Sequence, residues 1–102
     1  MAAEHFTKET FEAVRAPGVT ALVDFYADWC GPCKMLAPLI EELAGELTDV
    51  KVGKVNVDEN QDLAAEFGVM SIPTVVALRD GKEVQRTVGF TSKAKLLSML
   101  EA

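Results

Sequence analysis

The chain holds two cysteines, Cys30 and Cys33, in the run Trp29-Cys30-Gly31-Pro32-Cys33-Lys34. Two thiols at this spacing can close into one disulfide, so the pair can exchange electrons with another disulfide. Pro32 suits the first turn of a helix, where no backbone N–H is needed. Cys30 then stands just before that helix, where unpaired N–H groups and the positive end of the helix dipole favour an anion. Its thiol is expected to ionise more readily than an ordinary one. Cys33 lies one turn in, facing back toward Cys30 and more shielded. This makes Cys30 the attacking group and Cys33 the resolving one: attack gives a mixed disulfide, from which Cys33 displaces the product thiol.

Two other uses of the pair fit poorly. A zinc site takes four ligands, and the chain has no second Cys pair; His5, the lone histidine, reads as a surface residue. No metal is expected. An inert structural disulfide would close too short a loop to stabilise much.

The elements that must position the pair follow from the apolar pattern. Residues 19–27 (VTALVDFYA) are nearly all apolar, as in a strand buried on both faces. A helix over 32–47 carries an apolar stripe of Met35, Leu36, Leu39, Ile40, Leu43, Ala44 and Leu47, with Pro38 expected to kink it. Residues 50–57 read as a second central strand. A short helix over 61–67 is expected to be capped by Asn60 and stopped by Gly68. A strand over 74–79 turns through Asp80-Gly81 into another over 82–88. Ser92 caps a last helix to residue 101, with Leu96, Leu97 and Leu100 inward. Residues 3–6 read as an edge strand, and Thr7 as the cap of a helix over 8–15 ended by Pro17-Gly18. The order gives an α/β chain of one domain, residues 1–102, with a mixed sheet that is parallel in the middle, a hairpin at one edge and helices on both faces.

Asp24 is the second informative residue. In so apolar a strand it is expected to be desolvated, which raises its pKa and suits a general base for Cys33; the alternative is a strand-end Asp that reaches solvent. Lys54 could be its charge partner, although a solvated lysine is the simpler reading. Trp29 is either core filler or an exposed aromatic that grips a partner. Pro73 by itself reads as an ordinary trans proline opening a strand.

The totals narrow the function classes. With 102 residues, 49% hydrophobic and 25% charged, the chain can fill one core. A net charge of −6 argues against nucleic acid as partner. No run approaches the ~20 apolar residues of a membrane span, so no membrane is expected. The N-terminus resembles neither a signal nor a transit peptide, which points to the cytoplasm.

The residues now in hand resemble the thioredoxin family: Val23-Asp24-Phe25, Ala27-Asp28-Trp29-Cys30-Gly31-Pro32-Cys33-Lys34-Met35, Pro38, Lys54-Val55-Asn56-Val57-Asp58, Ile72-Pro73-Thr74, Gly81 and Val88-Gly89. The resemblance spans almost the whole chain. It implies the thioredoxin fold, a central five-stranded mixed β-sheet flanked by four α-helices. It implies a buried Asp24 with Lys54 beside it, and a cis Ile72–Pro73 bond opposite the dithiol. It further implies a flat groove for disulfide-containing protein substrates around Cys30, formed by Trp29, Gly31, Pro32, Val57, Ser71, Ile72, Pro73, Val88 and Gly89. The partner it implies for re-reduction is an NADPH-dependent thioredoxin reductase. The chain itself has no GxGxxG, and no bound cofactor is expected. Tyr26 stands where many members have a second Trp, Phe90 is bulkier than usual, and Met70 adds an apolar side chain near Ile72.

A reducing role is favoured by the Gly-Pro between the cysteines. An oxidase or isomerase of the same fold, and a non-redox protein-binding module, are the alternatives. An acidic chain of this size is expected to be a monomer.

Overall fold

The computed structural model describes residues 3–101. The strands are β1 (Glu4–His5), β2 (Thr20–Tyr26), β3 (Val50–Asn56), β4 (Thr74–Arg79) and β5 (Lys82–Val88), and the α-helices are α1 (Gly31–Glu46), α2 (Gln61–Glu66) and α3 (Lys93–Met99). A 3-10 helix covers Phe11–Arg15. The five strands form one sheet in the order β1-β3-β2-β4-β5.

The sheet is parallel on one side and antiparallel on the other. β1 and β2 both run parallel to β3, while β4 runs against β2 and pairs antiparallel with β5. The antiparallel half therefore begins at the central strand, not at an edge hairpin. The connection from β3 to β4 carries only the short helix α2, of 6 residues. The chain re-enters the sheet at the end where β3 left it, and Thr74 pairs with Phe25 near the end of β2.

Each face of the sheet buries its own layer. Ala21, Val23 and Phe25 of β2 pack with Phe6, Phe11, Val14 and Leu63. Leu22 packs on the opposite face with Leu36, Ile40 and Leu43 of α1 and Leu96 and Met99 of α3. The period-2 alternation of a strand places Asp24 on that second face, under α1.

Four expectations need correction. Among the described residues the flanking helices are three α-helices plus a 3-10 helix, not four α-helices. Thr7 and Thr10 exchange backbone-to-hydroxyl bonds, Thr7 N–H to Thr10 Oγ1 at 2.8 Å and Thr10 N–H to Thr7 Oγ1 at 3.3 Å. These fix a turn over residues 8–10, so only five residues remain before Pro17-Gly18. Met35 is 63% exposed, because it lies about 200° around α1 from buried Cys33. Leu96 is buried and Leu97 and Leu100 pack against the same cluster, as expected, and Met99, unnamed in the sequence reading, is buried beside them. Asn60 precedes α2 but does not cap it with its side chain; it donates to the Asn56 carbonyl and accepts from Lys8 N–H.

Other local readings match. Asp80 and Gly81 have φ of +54° and +79°, the left-handed pair required by a two-residue hairpin turn. Ser92 Oγ accepts from Lys95 N–H at 3.1 Å and caps α3. α1 continues through Pro38.

Candidate active site

The cysteines meet where β2 hands over to α1. Cys30 occupies the N-cap position of α1, and Pro32 lies in the helix's first turn. The two residues are joined as a disulfide, with their Cα atoms 5.2 Å apart. Cys30 Sγ accepts a hydrogen bond from the Cys33 backbone N–H at 3.2 Å. A sulfur at this point faces the unpaired N–H groups and positive dipole end of a 16-residue helix, so a thiolate is stabilised there. Exposure does not distinguish the pair: Cys30 is 5% and Cys33 3% exposed. The difference between them is helix position.

Asp24 is 1% exposed, and neither carboxyl oxygen has a hydrogen-bond partner. Burial pushes its pKa up to about 7, and the positive charge of Lys54 opposes part of that rise. Lys54 stands opposite Asp24 in the β2–β3 register. Its ammonium lies 4.7 Å from the centre of the Tyr26 ring. A cavity of about 130 Å³ runs beside these groups, with Cys33, Lys34, Tyr26 and Lys54 among its walls. It has room for several water molecules.

Trp29 is 71% exposed, which excludes the core-filler reading. Its indole N–H donates to Asp58 Oδ2 at 2.8 Å. Asp58 is held in turn by a turn at the end of β3, where Asn56 Oδ1 accepts from the backbone N–H groups of Asp58 and Glu59. The anchoring role of Asp58 escaped the sequence reading. Its signal was an Asn at a strand end two residues before an acid.

The remaining residues expected to form the groove divide. Val57 and Ile72 pack against the cluster of Ala27, Cys30 and Cys33. The Ile72 carbonyl oxygen is 3.8 Å from Cys30 Sγ. Ile72–Pro73 is cis. Gly89 N–H donates to the Pro73 carbonyl at 2.8 Å, and Val88 pairs with Thr74 across β4 and β5. These contacts bring Val57, Ile72, Pro73, Val88 and Gly89 to the same end of the sheet as the disulfide. Gly31, Pro32 and Ser71 are exposed, and the Ser71 carbonyl accepts from Thr74 Oγ1. Met70 and Phe90, which flank this end, are 95% and 50% exposed. Among the described residues no group of three or more His, Cys, Asp or Glu could hold a metal, and no helix is long and apolar enough to cross a membrane.

A family model described as Thioredoxin matches residues 2–102. A thioredoxin from Bacillus subtilis is 48% identical over 101 residues, covering 98% of this chain and 96% of its own length. One from Staphylococcus saprophyticus is 47% identical over 102 residues, covering 99% of this chain and 97% of the relative. Among solved structures, a mutant thioredoxin from Halobacterium salinarum superposes with a TM-score of 0.88 at 42% identity, over 97% of this chain and 88% of that one.

Proposed function

This chain belongs to the thioredoxin family and is a thiol–disulfide oxidoreductase that reduces protein disulfides, and we propose that Cys30 attacks, Cys33 resolves and Asp24 takes the Cys33 proton. Membership of the family brings disulfide substrates and a thioredoxin reductase as partners. The observation that carries the assignment of roles is the Cys33 N–H bond to Cys30 Sγ at the start of α1.

In the reduced chain the Cys30 thiolate attacks one sulfur of the substrate disulfide. A Cys30–substrate disulfide forms, and the other substrate sulfur leaves as a thiolate that is then protonated. Cys33 gives its proton to the Asp24 carboxylate by way of the cavity lined by Cys33 and by Lys54, the residue opposite Asp24, and its thiolate attacks Cys30 Sγ. The Cys30–Cys33 bond forms, the second substrate thiolate leaves, and two electrons have passed to the substrate. Lys54 limits how far burial raises the Asp24 pKa, so that the carboxylate is present near neutral pH.

Trp29, Gly31, Pro32, Val57, Ser71, Ile72, Pro73, Val88 and Gly89 form the surface on which the substrate segment lies. An extended segment there can pair through its backbone, which tolerates varied sequence. The reductase that restores the dithiol draws on NADPH, and the chain works as a cytoplasmic monomer with no bound cofactor.

Trapping tests the roles. The reduced Cys33→Ser variant should accumulate a mixed disulfide at Cys30 with a protein substrate, read by mass spectrometry. Cys30→Ser should react orders of magnitude more slowly. Trapping at Cys33 instead would reverse the assignment. The midpoint potential, taken against a dithiol buffer at pH 7, should lie below the extracted cytosolic glutathione poise of about −220 to −260 mV.

A further inference from the structure

Two rows of the sheet bring four side chains to a single corner. His5 pairs with Lys54 across β1 and β3, and Lys54 with Asp24 across β3 and β2. In-register neighbours project from the same face, and Tyr26, two residues beyond Asp24, shares it. The Tyr26 hydroxyl is 3.5 Å from His5 Nδ1, with the two rings edge to face. Lys54 Nζ lies over the Tyr26 ring, while both Asp24 oxygens are without a hydrogen-bond partner. Lys54 thus has two partners within reach, a carboxyl and a ring face, and its ammonium lies at the ring.

We infer that Tyr26 is a positioning residue for Lys54: its ring holds the ammonium off Asp24, so that the buried carboxyl keeps its proton at higher pH than a direct ion pair would allow. The inference rests on the proposed work of Asp24 at Cys33, and it says how that carboxyl is set. The attraction is that of a cation for an aromatic face. The charged groups facing this corner are Lys54 from β3, His5 from β1, Lys34 from α1, Asp28 from the loop after β2 and Glu59 from the loop after β3. From β4 the residue opposite Asp24 is Val75, which carries no charge. Lys54 is the charge that acts on Asp24.

The test is the titration of the Asp24 carboxyl carbon, followed by NMR in the oxidised chain without substrate. Tyr26→Leu removes the ring and frees Lys54 for Asp24, and the midpoint should fall by about one pH unit. Tyr26→Met repeats the deletion with a longer side chain should the leucine variant not fold. Tyr26→Phe keeps the ring face, and its midpoint should stay near that of the parent. In a Lys54→Met background the ring deletion should produce no further fall. The inference is overturned by a midpoint that stays or rises without the ring, by a Phe variant that falls as far as Leu, or by a fall that persists without Lys54. Because no thiol takes part in the titration, its outcome is separate from whether Asp24 serves Cys33.

Discussion

Asp24 and Lys54 face each other across two parallel strands, yet the carboxyl has no hydrogen-bond partner and the ammonium sits over an aromatic ring. A buried acid left this way is a cost to the fold once it ionises, and that cost gives a measurable pH dependence.

Folding should therefore weaken as pH rises. The native carboxyl titrates at about 7, and the unfolded one near 4. Between these values the native chain holds a proton that the unfolded chain has lost, so stability falls with pH across this window. The favourable contribution is full below about pH 4 and gone above about pH 7, a change on the order of 4 kcal/mol. Asp24→Asn should remove this slope and be the more stable form at pH 8. Denaturant midpoints from pH 5 to 9 check it; parallel curves for the two forms would show that Asp24 is not desolvated.

The same variant should resolve mixed disulfides slowly. An amide cannot accept the Cys33 proton, so the step after attack should slow by about tenfold or more at pH 7, with attack by Cys30 little changed. Rapid quenching that separates the two steps gives the answer. Equal slowing of both would place Asp24 elsewhere in the mechanism.

Trp29 and Asp58 should matter to large substrates only. Asp58→Ala frees the indole from its hydrogen bond. KM for a protein disulfide should rise, while reduction of a small aromatic disulfide should be unchanged. Both side chains are exposed, so stability should move by less than about 0.5 kcal/mol. Loss against both substrates would mean that Asp58 acts on the cysteines.

Gly81→Ala should destabilise the chain without touching the chemistry. Gly81 has a φ of +79°, and a Cβ there would lie 2.7 Å from the Arg15 carbonyl oxygen. The expected cost is about 1–2 kcal/mol, read as a lower denaturation midpoint. The potential of the Cys30–Cys33 couple should not change, since the turn lies at the far end of β4 from the site.

The dithiol, its place before a helix and the burial of Asp24 were all legible in the sequence. Each depends on local chemistry or on the apolar run around it. The 3-10 helix was not, because the exchange between Thr7 and Thr10 competes with an α-helix in a way composition does not reveal. Met35 misled because an apolar residue one position off a stripe looks like part of it. The contact of Lys54 with Tyr26 was out of reach altogether. It depends on the register of two parallel strands, and parallel pairing leaves no turn from which to count. The antiparallel pairing of β4 with β2 was not legible for a related reason: it joins strands distant in sequence, and no local pattern marks which strands meet.

The Gly89 N–H bond to the Pro73 carbonyl ties the segment after β5 to the one that opens β4. One wall of the proposed groove is thus set before any partner arrives. The ordering entropy of docking then falls on the incoming chain rather than on this one. A disulfide held in an already extended, stiff loop would dock at little cost, and one in a floppy tail would dock at more. Choice among targets would accordingly be graded by the stiffness of the target, even where backbone pairing makes its sequence almost irrelevant.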